Sequence, residues 1–253
     1  AEVHVLDGAL DGAVRQPADV ALLYNRTAGI WESYDSAENS WELDAQFIYW
    51  ALRHAGYNVD VIPEEDIESG ALDDYRVLYI NGVYLRETTA SAIESWINSG
   101  SGKVLVGTAG VGTFNERNER MAILDDVFGI GNSTLTRARV AGRALYEAKG
   151  WPSEKQVAVP VATTQPFDVY VWYEALQPTG ATVIGTTTDA LDVAVQRAIG
   201  ENVAIRYGFL PGLTYLREAW DESYEDRIAT GFDAELNDLA TYGARLGATP
   251  TAT

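Results

Sequence analysis

Between Val20 and Gly107 the chain carries four short apolar runs: VALLY (20–24), NVDVIPE (58–64), YRVLYING (75–82) and KVLVG (103–107). VALLY is uninterrupted, as expected of a strand covered on both faces. Helical patterns separate the runs. ELDAQFIYWALRHAGY places Leu43, Phe47, Trp50 and Ala51 at the spacing of one helix face and stops at Gly56, and ETTASAIESWINSG turns Ile93, Trp96 and Ile97 inward and stops at Gly100. Strands alternating with helices through residue 112 predict βαβ units in an α/β fold, a mainly parallel sheet with helices on both faces. The intervening NRTAGIWESYDSAENSW (25–41) reads as a long polar loop studded with aromatics.

The pattern changes after about Ile130. TLTRARVAGRALYEA, QVAVPVAT, FDVYVWYEAL and TVIGTT lack helical spacing and read as additional β segments, and LDVAVQRAIGENVAIRYGFLPG reads as a C-terminal hairpin turning at Gly200-Glu201-Asn202. The expected organisation is an arm or linker over residues 1–18 and one α/β domain over 19–230. That domain divides into a βαβ part (19–130) and a β-rich extension (131–215). Residues 231–253 read as a tail or linker holding a short helix.

Charge and composition narrow the function classes. Thirty-seven acids against 18 bases leave a net charge of −19, which repels phosphate backbones and argues against nucleic acid as a partner. The excess suits solubility or a salty habitat. Zero cysteines remove disulfides, thiolate metal sites and a cysteine nucleophile together. No apolar run approaches the ~20 residues a bilayer demands, so no membrane span is expected. The chain begins at Ala1 without a Met, as a processed or excised piece would, which leaves the compartment open, with a soluble secreted or periplasmic protein among the expectations.

VALLYN, AQFIYWALRHAGYNVDVIPEEDI, YRVLYINGVYLRETTASAIESWINSGSGKVLVG and the late VAIRYGFLPGLTYLR together resemble the trimerisation domain of beta-galactosidase-type glycoside hydrolases. That resemblance implies a flavodoxin-like, class I glutamine amidotransferase-like fold. It also implies a non-catalytic role in building an oligomer beside a separate catalytic barrel, so the partners it implies are flanking glycoside hydrolase domains or further copies of the chain.

In active amidotransferases of this fold, the strand corresponding to KVLVG leads into a turn presenting a cysteine. Here GTAGVG puts Ala109 at that position, a degenerate elbow whose methyl group cannot attack an amide. Thr108 and Thr113 flank it, but a hydroxyl needs a neighbouring base. Only His4 and His54 exist; His4 falls in the arm, and His54 suits the last turn of a helix. The glycines at 107, 110 and 112 do not match a dinucleotide loop, and two separated histidines make no zinc site, so no cofactor and no metal are expected. The acidic runs PEED (63–66) and DESYED (221–226) read as solvated loops.

Two alternatives to an accessory role stay open. A stand-alone glycoside hydrolase would use a pair of loop carboxylates drawn from Glu32, Asp35, Glu116 and Glu119. A sugar-binding module would use the aromatics after the strand ends. Trp31, Tyr34 and Trp41 suit a protein interface, simple packing or sugar stacking. The crevice residues expected around a ligand are Asn25, Trp31, Tyr34, Asn81, Tyr84, Thr108 and Glu116. Asn-Arg-Thr (25–27) and Asn-Ser-Thr (132–134) match the glycosylation pattern.

Overall fold

In the computed structural model, which describes residues 16–34, 40–131, 133–137, 153–219 and 232–251, β1 (Val20–Tyr24) lies between β2 (Val59–Pro63) and β3 (Val77–Ile80) and runs parallel to both. β4 (Val104–Gly107) extends this parallel set on the far side of β3, and β11 (Asn202–Tyr207) adds a fifth parallel strand beside β4. From β11 the same sheet continues antiparallel through β10 (Asp192–Ile199), β9 (Thr182–Thr187), β6 (Ser153–Ala158) and β7 (Phe167–Tyr170). The result is one mixed nine-stranded sheet with a parallel core, in the order β2-β1-β3-β4-β11-β10-β9-β6-β7. β5 (Thr134–Arg137) and β8 (Trp172–Ala175) pair separately as a two-stranded ribbon.

The period of two in each strand divides the core into two layers. Val20, Leu22, Tyr79 and Val106 face one way, against α2 (Ser40–His54), α6 (Pro211–Ala219) and α7 (Ala234–Gly247). Ala21, Leu23, Leu78 and Leu105 face the other way, against α3 (Glu64–Glu68), α4 (Glu87–Ile97) and α5 (Ile123–Phe128). Burial on both faces is why these strands read as unbroken apolar runs. Helices thus cover both faces, as the strand–helix alternation predicts, and the β-rich extension joins the same sheet as an antiparallel wing.

Several expectations are corrected. The stretch after β1 is a helix, α1 (Arg26–Tyr34), whose start is capped by Asn25: its Oδ1 accepts from the Ala28 N–H at 2.9 Å. In α2 the buried face is Trp41, Asp44, Phe47, Ile48, Ala51 and Leu52, whereas Trp50 is 36% exposed. PEED opens α3, and its Glu64 is buried rather than solvated. The C-terminal segment expected as a linker contains α7, capped by Asp233 through the Glu235 and Leu236 N–H groups. Leu239, Ala240 and Ala244 of that helix lie in the core. Most of the expected arm (residues 1–15), DESYED, His4, Asp35 and Asn132 lie outside the described residues.

If α7 is part of the fold, Leu239→Ala should cost ~2–5 kcal/mol, the usual range for emptying a fully buried leucine site. Urea unfolding of the two proteins measures this. A variant indistinguishable from the wild type would return the segment to the status of a linker.

Candidate functional site

Asn25, Asn81 and Thr108 follow the C-terminal ends of β1, β3 and β4, where open α/β sheets collect their ligands. All three are fully buried. Asn25 Nδ2 donates to the carbonyls of Asn81 (2.7 Å) and Tyr84 (2.8 Å), so one side chain caps α1 and clamps the loop after β3. That clamp explains Gly82: its φ is +91°, and a Cβ there would meet Asn25 Nδ2 and the Ala28 methyl at 2.6 Å. Asn81 Nδ2 donates to the Trp41 carbonyl at 2.9 Å. Burial also removes Asn25 from the reach of a glycosylation enzyme in the folded chain.

The turn after β4 is closed to ligands. Ala109 is fully buried, and its backbone is not among the left-handed non-glycine residues, unlike the strained turn of an α/β-hydrolase nucleophile. Its N–H donates to Phe209 O (3.2 Å). In acyl-transfer enzymes the N–H after the nucleophile stabilises the developing oxyanion. Here that group, Gly110 N–H, donates instead to Glu174 Oε2 at 2.9 Å. The N–H groups of Thr108, Val111, Gly112, Thr113 and Phe114 all donate to backbone carbonyls. Every backbone N–H of the turn from Thr108 to Phe114 is already engaged.

The carboxylate in that position is held by a second buried charge. Glu174 and Arg206 are each 1% exposed, and Arg206 Nη2 donates to Glu174 Oε2 at 2.7 Å. Arg206 Nη1 also donates to Val111 O (3.2 Å), and the Ser133 hydroxyl donates to Glu174 Oε1. Val171, between β7 and β8, adopts φ +69°, a costly conformation for a β-branched residue. β8, the strand that carries Glu174 to the turn, starts at the next residue.

Thr108 has no base. Its hydroxyl faces Asp44, but the two fall short of hydrogen-bonding geometry, leaving Thr108 Oγ1 and Asp44 Oδ2 without partners. Asp44 Oδ1 accepts from the Gly212 (2.7 Å) and Leu213 (3.3 Å) N–H groups, so it caps α6 from a distant helix. Desolvation outweighs these bonds and raises its pKa to about 8. A carboxyl that is protonated at neutral pH accepts no proton from Thr108. Thr113 Oγ1 is spent on Gly110 O (2.7 Å).

The carboxylates considered for glycoside hydrolysis are dispersed in role. Glu116 Oε2 accepts from the Glu87 N–H (3.0 Å), which holds this carboxyl below its ordinary range, opposite to what a general acid requires. Glu119 accepts from Asn115 Nδ2 (2.9 Å) and braces a loop. Glu32 is buried within α1. His54 Nδ1 lies 2.7 Å from the Tyr215 hydroxyl, and its ring packs edge-on to Phe232, so it joins α2 to α6.

Of the aromatics, Trp31 stacks on Tyr84 (5.2 Å, 16°) and donates Nε1–H to Glu116 O (3.1 Å). Tyr84 stacks in turn on Phe114 (5.6 Å). Trp31, Tyr84 and Glu116 therefore do meet. Trp41 does not join them at the surface; it is 3% exposed in the first turn of α2, which corrects its expected place in an interface loop. The Tyr34 side chain lies outside the described residues. Among the described residues, no group of three or more His, Asp or Glu could hold a metal ion, and no helix is long and apolar enough to cross a membrane.

No protein-family model and no curated protein matches the chain. Solved structures do match it in fold. A beta-galactosidase from Bacillus circulans sp. alkalophilus aligns with a TM-score of 0.69 at 16% identity, over 96% of this chain and 33% of the enzyme. A GH42 beta-galactosidase from G. stearothermophilus aligns at 0.66 and 18% identity, over 82% and 30%. An exo-beta-1,4-mannosidase from Opitutaceae bacterium strain TAV5 aligns at 0.57 and 12%, over 91% and 36%. The chain has the amidotransferase-like fold of the trimerisation-domain region in GH42 beta-galactosidases, and it spans about a third of the length of these enzymes.

The Asp44 arrangement has a signed consequence. Its folded pKa of about 8 lies above the ordinary 3.8, so the folded state binds more protons and stability falls as pH rises between these values. Asn at this position keeps the acceptor for α6 and carries no titration. Asp44→Asn should match the wild type near pH 4 and exceed its stability at pH 9 by up to about 5 kcal/mol. Denaturant unfolding at both pH values measures it; equal stabilities at pH 9 would show that Asp44 ionises freely.

Proposed function

We propose that this chain is a non-catalytic accessory domain of a carbohydrate-active protein of the glycoside hydrolase type, serving assembly rather than turnover. The observation that carries the reading is the occupied turn. Ala109 supplies no nucleophile, and Glu174 fills the position where an oxyanion would be received. The fold supports the second half of the reading, because it occurs as about a third of beta-galactosidases and of a mannosidase. Fold alone names no sugar.

An assembly role calls for an apolar surface strong enough to offset the repulsion of a −19 chain. The edge strand β2 offers one: among the described residues it has a neighbour on one side only. Val61 (52% exposed) and Tyr24 (51%) stand beside a groove of about 300 Å³ lined by Leu22, Trp41, Ala45 and Tyr49. This surface replaces the aromatic loop as the candidate contact, since Trp41 is its floor and not its projecting anchor.

Two measurements test the reading. Purified protein should release no ammonia from glutamine and no chromophore from galactosides or glucosides, and Ala109→Cys should leave glutaminase activity absent because Gly110 N–H remains engaged. Activity gained by that single substitution would show the turn to be a working site lacking only its nucleophile. Light scattering across a salt series should show association that strengthens with screening and is lost in the Tyr24→Ser, Val61→Asp double variant. A wild type that stays monomeric at high protein and salt removes the assembly role from this surface.

A further inference from the structure

A second concavity lies between the start of α1, α3 and the loop into α4, with a volume of about 210 Å³. Its floor is rigid. Glu64, 1% exposed, accepts from Thr27 N–H (3.0 Å), Thr27 Oγ1–H (2.8 Å) and Arg86 N–H (3.1 Å), so one buried carboxylate joins the beginnings of α1 and α4. One wall is the Trp31 indole, fixed by its stack on Tyr84 and its bond to Glu116 O. Ile30, 68% exposed, extends that apolar wall outward.

The polar side of the same pocket has donors and acceptors in alternation. Glu65 Oε1 receives both Arg86 Nη2 (2.9 Å) and Arg26 Nη1 (3.4 Å), which leaves Oε2 to accept from a ligand. The Arg26 side chain is 60% exposed and has further N–H groups to give. Glu116 keeps Oε1 only loosely paired, 3.6 Å from Arg117, because Oε2 is bound by Glu87 N–H. Two guanidinium groups against three lining carboxylates leave no positive excess, so an anion gains nothing here. The volume lies below the ~300–1,000 Å³ of drug-sized sites, which restricts the occupant to about one ring.

We propose that this pocket binds a single neutral sugar ring, the apolar face of a hexose lying on Trp31 and its hydroxyls shared among Arg26, Glu65 and Glu116. A flat aromatic wall opposite alternating charged donors and acceptors matches a molecule with one C–H face and a rim of hydroxyl groups. The proposal rests on the accessory-domain reading only in the choice of sugars to try. The two fail separately: turnover of a chromogenic glycoside would overturn the accessory reading, whereas free hexoses have no glycosidic bond to cleave and report binding alone.

Saturation-transfer NMR with free galactose, glucose and mannose, with glucuronate as the charged counterpart, tests it. At least one neutral hexose should bind with a Kd on the order of 1–10 mM, a range set by a few contacts on an open surface. Trp31→Ala and Glu65→Gln should each weaken binding by about tenfold or more. Arg26→Ala should do the same, and its exposed position guards against a loss caused by unfolding, which thermal melts of all variants monitor. No signal from any neutral hexose would overturn the proposal. So would undiminished binding in Trp31→Ala or Arg26→Ala, or tighter binding of glucuronate than of the neutral sugars.

Discussion

The buried pair of Glu174 and Arg206 is the interaction on which the rest of this structure depends. Two charges out of water each cost several kcal/mol, and their mutual attraction repays that only when the remaining polar atoms are also satisfied. Here Gly110 N–H and the Ser133 hydroxyl supply the carboxylate and Val111 O receives a second guanidinium N–H, so that Arg206 Nε alone of the pair's polar atoms is buried without a partner. Those bonds come from four separate segments: β8, β11, the turn after β4, and the start of β5. The β5–β8 ribbon and the parallel core are thereby locked in one arrangement. The same bonds that satisfy the ion pair consume the donors a catalytic turn would need, so stability of this fold and chemistry at this turn compete for one N–H.

Close approaches of backbone reinforce that arrangement. A Cβ on Gly208 would lie 2.3 Å from Glu174 O, so β8 can reach the end of β11 only because residue 208 has no side chain. A Cβ on Gly212 would lie 2.2 Å from Asp44 O, which is what lets Asp44 cap α6 directly. Both contacts bring a carboxyl-bearing element against a backbone that follows β11. The polar residues at this end of the sheet serve as fasteners between elements, and the pocket proposed for a sugar lies outward, on the flank formed by α1 and α3.

The parallel core was legible in the sequence because strands buried on both faces read as short continuous apolar runs, and VALLY and VLYI alternate with segments of helical spacing. α1 was not, because Ile30 and Trp31 face solvent or the pocket and so break the period that announces a helix; the available signal was Asn25 as a cap. α6 had its own signal in Pro211 at the first helical position. Trp41 and Trp50 show the limit of periodicity: nine residues apart on one helix, they point to opposite environments, and the choice of face turns on Asp44, whose burial no hydropathy scale predicts. Glu174 and Arg206 lie 32 residues apart on strands that meet only in the folded chain. Nothing local to either residue marks them as partners.

The glycine-rich GTAGVG segment shows why its resemblance to a catalytic loop misleads. A Cβ on Gly107 would come within 2.6 Å of the Phe128 ring, one on Gly110 within 2.9 Å of Leu135, and one on Gly112 within 2.7 Å of Leu124. Each neighbour is a buried or half-buried side chain of the core, and none belongs to a ligand cradle. Close packing at Gly107 and left-handed backbone at Gly110 (φ +73°) and Gly112 (φ +63°) therefore account for all three glycines without a ligand. In a working phosphate or oxyanion loop the glycines allow N–H groups to turn toward a ligand; here the same residues turn the N–H groups of 108–114 toward the protein's own acceptors. What distinguishes the two cases is the destination of the backbone donors, a property of the folded chain that a spacing of glycines does not encode.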